Sequence, residues 1–99
     1  MEFHIEKQED KTVASMKGRL DTVTSAELKA GLDENWTGAD DLELDFTEVE
    51  YISSAGLRLL VALQKKAVAG GHKMVIRNIN NVVREVFKVA GFNKALTVI

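Results

Sequence analysis

Residues 42–60 read "LELDFTEVEYISSAGLRLL", and the order of patterns in this stretch decides the fold. Its first five residues alternate apolar and polar side chains, which is typical of a strand with one buried face. Leu57 and later apolar residues recur at helical spacing, so the segment 54–70 is predicted to be a helix. Two adjacent serines, Ser53 and Ser54, stand where the strand region ends and that helix begins. Strands separated by helices favour parallel pairing through right-handed crossovers.

The rest of the chain continues this alternation of strands and helices. The predicted strands are 3–8, 12–18, 42–46, 72–79 and 95–99, with 47–52 as a connector, and the predicted helices are 20–36, 54–70 and 80–92. The first two strands read as a hairpin joined by a polar turn. The order β-β-α-β-α-β-α-β therefore predicts one α/β domain over residues 1–99, in which a small mixed β-sheet packs against helices.

The start of the first helix carries two local signals. Thr24 and Glu27 have the spacing of a capping box, and Val23 and Leu28 have the spacing of a hydrophobic staple. Apolar residues four apart along this helix predict one buried stripe: Leu28, Leu32 and Trp36.

Composition excludes several classes of function. The formal net charge is −2 and basic residues are interleaved with acids, which argues against nucleic acid as a partner. The chain has no cysteine, so it has no disulfide frame and no cysteine-based metal site. Its apolar runs are shorter than a membrane span, and the acidic start "MEFHIEKQED" is unlike a signal peptide. We expect a cytoplasmic protein with no membrane partner.

Catalytic and cofactor motifs are missing from the sequence. Neither a Gly-x-x-x-x-Gly-Lys-Ser/Thr loop nor a Gly-x-Gly-x-x-Gly loop occurs. The position two residues before Ser54 is Ile52, whereas the Gly-x-Ser-x-Gly elbow of a hydrolase needs glycine there. The two histidines fall in or beside predicted strands without a partner at ligand spacing: His4 and His72. We expect no cofactor, no metal and no enzymatic activity, although a hydrolase using Ser54 stays open as a third hypothesis.

The serine pair has two readings that do not exclude each other. Serine is a good N-cap, because its hydroxyl accepts a hydrogen bond from a free N–H group of the first turn. A helix N-terminus also favours an anion, so a phosphate is well placed on a serine there. Ala55 and Gly56 are small and are expected to keep the approach open. Phosphorylation would add about −1.5 to −2 charges and would act as a switch.

Three segments in order resemble a STAS domain, the fold of bacterial anti-sigma factor antagonists. They are "GRLDTVTSAELKAGL" (18–32), "LELDFTEVEYISSAGLRLL" (42–60) and "NVVREVFKVAGF" (81–92). The resemblance covers nearly the whole chain. It implies a protein that binds an anti-sigma factor serine kinase when unphosphorylated and releases that kinase when phosphorylated, with a serine phosphatase restoring the first state.

The resemblance also implies roles for individual residues. The family motif is commonly Asp-Ser-x-Gly-Leu, which aligns Ser54 with the phosphoacceptor. Ser53 replaces the aspartate and is an alternative acceptor. The implied partner-binding residues are Asp21, Thr22, Ser53, Ser54, Ala55, Gly56 and Arg58. A STAS module that senses a nucleotide or a lipid within a larger assembly is the alternative function.

Overall fold

The computed structural model describes residues 2–92 and 95–99, which form four strands and three helices. The strands are β1 (Glu2–Lys7), β2 (Lys11–Leu20), β3 (Asp41–Ile52) and β4 (Met74–Arg77). The helices are α1 (Thr22–Asn35), α2 (Ser54–Ala69) and α3 (Asn81–Ala90). The predicted α/β class and the predicted order of strands and helices are confirmed.

The sheet is mixed and its strands lie in chain order, β1-β2-β3-β4. β1 pairs with β2 antiparallel, as the predicted hairpin requires, whereas β2–β3 and β3–β4 are parallel. Each parallel connection contains a helix, because a tight turn cannot join parallel strands. The carboxyl ends of β2 and β3 therefore meet at one edge of the sheet, where α1 and α2 begin.

The predicted closing strand is reduced to a single parallel bridge between Ile76 and Val98. Ile76 N donates to Thr97 O at 2.9 Å, and Ile99 N donates to Ile76 O at 2.9 Å. These bonds place the end of the chain along the outer edge of β4.

One face of the sheet and the inner sides of the helices form a single hydrophobic core. Alternate residues of β2 and β3 are buried, as the period of two requires. The predicted stripe of Leu28, Leu32 and Trp36 is fully buried. Within the residues that the structure describes, no helix is long and apolar enough to cross a membrane.

Three local predictions were wrong. The N-cap of α1 is Asp21, so Thr24 lies inside the helix and its predicted capping box with Glu27 does not form. Val23 is 67% exposed and does not act as a hydrophobic staple. Residues 47–52, predicted as a connector, belong to β3, because a register shift against β2 keeps this segment paired beyond Asp45.

Candidate functional site

The two serines lie at the carboxyl end of the parallel sheet, between β3 and α2. Ser53 N donates to Leu20 O at 2.9 Å, which joins the β3–α2 loop to the end of β2. The start of α1 at Asp21 and the start of α2 at Ser53 are therefore neighbours. In open α/β sheets this edge is the usual place for binding sites.

Ser53 is the N-cap of α2. Its backbone is extended, and its Oγ accepts a hydrogen bond from Gly56 N at 3.3 Å. Its carbonyl oxygen accepts from Leu57 N at 2.9 Å, the first bond of the helix. The capping prediction therefore applies to Ser53, which is half-buried.

Ser54 is the first residue of α2, and its side chain is exposed. Among residues 2–92 and 95–99, no hydrogen bond involves its hydroxyl. It lines an open groove whose walls are the end of β3, the start of α2 and one side of α3. A hydroxyl that is exposed, unbonded and beside a groove can be reached by an active site of another protein.

Gly56 was expected to keep the serine hydroxyl open to a partner, but in the structure its small size serves packing. The residue is buried, and a Cβ atom placed on it would lie 2.6 Å from Ile52 Cγ1 and 2.9 Å from Leu20 O. Glycine is needed so that the first turn of α2 can approach β2 and β3 closely. Gly56 therefore positions the serine loop, and little of its own surface is exposed.

Asp21 holds the neighbouring helix start. Its Oδ1 accepts from Thr24 N at 3.0 Å and from Val23 N at 3.1 Å, and its own N donates to Thr24 Oγ1 at 2.8 Å. The hydrogen bond from Thr24 N, followed by that from the Thr24 hydroxyl, lowers the pKa of Asp21. The side chain stays charged and caps α1, and within the described residues its hydrogen bonds go to the first turn of α1 and not to the Ser54 hydroxyl.

The other predicted partner-binding residues surround this edge. Thr22 and Arg58 are exposed, and Ala55 is half-buried. Arg58 lies one helical turn after Ser54 on α2 but does not line the groove. The structure thus brings Asp21, Thr22 and the serine loop together, with Arg58 at the margin.

Sequence reasoning missed the pairing of Arg19 with Tyr51. The two residues are partners in the β2–β3 register, and the Arg19 guanidinium lies 4.6 Å from the Tyr51 ring centroid. A cation over an aromatic face is a favourable contact. No sequence signal joins residues 32 apart, because the register of β2 against β3 decides which side chains meet.

The sequence also did not predict that α3 forms one wall of the groove beside Ser54. Asn80 caps α3 through a bond from Val83 N at 2.8 Å, and its Nδ2 donates to Val49 O at 3.0 Å. These bonds fix the start of α3 to β3. The residues of α3 in the groove are Glu85, Val86, Val89 and Ala90.

The histidines are not placed to activate Ser54. His72 Nδ1 lies 3.2 Å from Asp41 Oδ1 at the start of β3, and the 12 residues of that strand separate this pair from the serines. His4 lies on β1, opposite Ser15. A serine-hydrolase mechanism needs a histidine beside the nucleophile, so the geometry contradicts that hypothesis.

Comparisons with known proteins agree with the fold. The family model described as Mlab, STAS domain matches residues 3–98. A Bordetella bronchiseptica protein, provisionally named anti-sigma factor antagonist BtrV, is 36% identical over 98 residues, spanning 93% of this chain and 80% of the relative.

Solved structures share the architecture. The unphosphorylated anti-sigma factor antagonist SpoIIAA superposes with a TM-score of 0.81 at 18% identity, over 99% of this chain and 88% of SpoIIAA. The phosphorylated SpoIIAA of Bacillus gives a TM-score of 0.75 at 19% identity, over 99% of this chain and 91% of that protein. At this identity the structures show the fold alone. With the family match, the chain belongs to the STAS domain family, which includes the anti-sigma factor antagonists.

Proposed function

We propose that this protein is an anti-sigma factor antagonist that switches partners through Ser54. In its unphosphorylated form it binds an anti-sigma factor that is also a serine kinase, and so frees a sigma factor. Phosphorylation of Ser54 releases the kinase, and a serine phosphatase restores the binding form. The chain itself performs no catalysis in this cycle.

The observation that carries the proposal is the division of roles between the two serines. Ser53 is already used as the cap of α2, through its 3.3 Å bond from Gly56 N. Ser54 is exposed beside the groove. Modifying Ser53 would break the cap, whereas modifying Ser54 would leave it in place. The relative BtrV, with its provisional name of anti-sigma factor antagonist, supports the same function.

A phosphate on Ser54 is compatible with the fold. It would lie at the N-terminus of α2, where free N–H groups and the helix dipole favour an anion. No acidic residue occupies the first turn of α2 to repel it. Phosphorylation would instead weaken the complex with a partner that covers this edge. Such a partner would have to remove water from a phosphate that carries about −1.5 to −2 charges.

The direct test is phosphorylation by purified ATPase-fold serine kinases encoded in the same genome, followed by mapping of the modified residue. We expect phosphate on Ser54 in the wild type and in Ser53→Ala, and none in Ser54→Ala. Phosphate on Ser53 alone would reassign the acceptor. No phosphate with any of these kinases would overturn the proposed switch.

Binding provides a second readout of the same switch. Ser54→Asp places one negative charge at the acceptor position and is expected to weaken kinase binding by about tenfold, because like or desolvated charges at an interface are costly. Ser54→Ala is the matched control and should bind like the wild type. Equal affinity of the two variants would contradict a charge-controlled release.

A further inference from the structure

α3 carries an apolar strip on its outer side. Val82 is 53% exposed and Val89 is 79% exposed, and Val86 between them is half-buried. The spacing of four and then three places all three on one side of the helix. Exposed apolar side chains in a contiguous strip mark an interaction surface more often than single ones do.

This strip adjoins the groove that contains Ser54. Val86 and Val89 line the groove from α3, while Tyr51 and Leu57 line it from β3 and α2. Ser54 therefore shares one concave, mainly apolar surface with the valines. We call this surface, lined by Tyr51, Ile52, Ser54, Leu57, Glu85, Val86, Val89 and Ala90, the α2–α3 groove.

One charge lies in the α2–α3 groove. Among the residues that the structure describes, Glu85 is the only groove-lining side chain that is charged at neutral pH, and no ion pair there involves it. The groove thus presents apolar walls and a single free carboxylate. Its electrostatic complement is an apolar side chain with a basic residue next to it.

From these observations we propose that the α2–α3 groove is the docking site for an apolar side chain of the kinase, flanked by a lysine or arginine that pairs with Glu85. The proposal rests on the proposed function and adds a surface to it. The reactive hydroxyl gives the kinase a substrate, and the groove gives it a separate source of affinity.

The groove also explains how a phosphate on Ser54 would release the kinase. Ser54 is itself part of the groove lining, so its phosphate would occupy the space that the apolar side chain enters. The phosphate would bring a hydrated dianion against apolar walls and add to the negative charge of Glu85. Once Ser54 carries a phosphate, the apolar side chain of the kinase can no longer dock at this surface.

The test is calorimetry with the kinase identified by the phosphorylation assay and the unphosphorylated chain. Val89→Ser removes apolar surface from the groove and is expected to raise the Kd about tenfold, whereas Val89→Leu should retain affinity. Val68→Ser is the matched control, because Val68 is a 62% exposed helical valine fourteen residues along α2 from Ser54. Thermal unfolding checks that all three variants are folded.

Glu85→Lys tests the charge. We expect a Kd several-fold higher than that of the wild type and a weaker dependence on salt, as for charges at the rim of an interface. Glu34→Lys makes the same change on the exposed side of α1 and serves as control. Equal effects of the two variants would overturn the basic flank of the proposed occupant.

The outcomes separate the two proposals. A wild type that is neither bound nor phosphorylated would overturn both the switch and the docking site. A wild type that is bound and phosphorylated, with Val89→Ser and Val68→Ser of equal affinity, would overturn the docking site alone.

Discussion

At the scale of single residues, the adjacent serines differ because one faces the helix and the other faces solvent. Ser53 has the extended backbone of an N-cap and directs its hydroxyl to Gly56 N. Ser54 is already helical, so its side chain points away from the first turn. The sequence predicts both a cap and an acceptor in this pair, but only the backbone conformation assigns one role to each.

This division makes a prediction about stability. Ser53→Ala should lower the free energy of unfolding by about 1 kcal/mol, because it removes an N-cap. Ser54→Ala should change it by less than about 0.5 kcal/mol, as surface substitutions usually do. Urea denaturation of both variants measures the difference. A larger loss in Ser54→Ala than in Ser53→Ala would contradict the capping assignment.

Between elements, the decisive contact is the approach of α2 to the ends of β2 and β3. Gly56 lies against the Leu20 carbonyl oxygen and the Ile52 side chain, so the helix starts where a Cβ atom does not fit. This approach sets the position of the serine loop. Within the motif Ser-Ala-Gly-Leu, Gly56 is therefore needed for packing, and Ser54 is the residue proposed for modification.

Gly56→Ala is predicted to be destabilising, although alanine is the better helix former. The added Cβ would meet a backbone oxygen at 2.9 Å, which cannot move away as a side chain can, and overpacking of this kind costs about 1–3 kcal/mol. Gly31→Ala is the matched control on α1, because its Cβ would meet the end of the Phe3 ring, which is 37% exposed. Thermal unfolding should show a lower Tm for Gly56→Ala only.

The start of α1 shows how neighbouring capping signals compete. The predicted pair Thr24 and Glu27 has the right residue types, but Asp21 and Thr24 have the same spacing three residues earlier. The bond from Ser53 N fixes the Leu20 carbonyl at the end of β2, and the helix begins at once after Asp21. The end of β2 therefore decides where α1 starts, and the local capping motif alone does not predict this position.

At the scale of the whole molecule, the face of the sheet opposite the core is held by charged pairs across strands. Glu43 on β3 contacts Lys11 on β2 at 3.2 Å and Arg77 on β4 at 2.9 Å. Burial raises the pKa of Glu43, but the hydrogen bonds from Arg77 and Lys11 outweigh it and lower the pKa below its ordinary value. Hydrogen bonds from Thr47 lower the pKa of Asp45 in the same way.

These lowered pKa values predict that the free energy of unfolding decreases at acid pH. A carboxyl group whose pKa is lower in the folded state releases its proton more readily there, so it contributes stability above its unfolded pKa. That contribution is lost as the pH falls from about 4.5 through the folded pKa. We expect the urea midpoint to fall over this range, and to fall less steeply in Glu43→Gln. An unchanged slope in that variant would contradict a role for the Glu43 pairs.

The amino-acid sequence by itself determined the class, the order of elements and the family, because burial patterns with periods of 2 and 3.6 are local properties of the chain. It also predicted the serine loop as the site to be modified. The tertiary structure decided which serine is the cap, why Gly56 is glycine, and which side chains of α3 border Ser54. Those answers depend on strand register and on the approach of helices that are distant in sequence, and no local pattern encodes the distance between them.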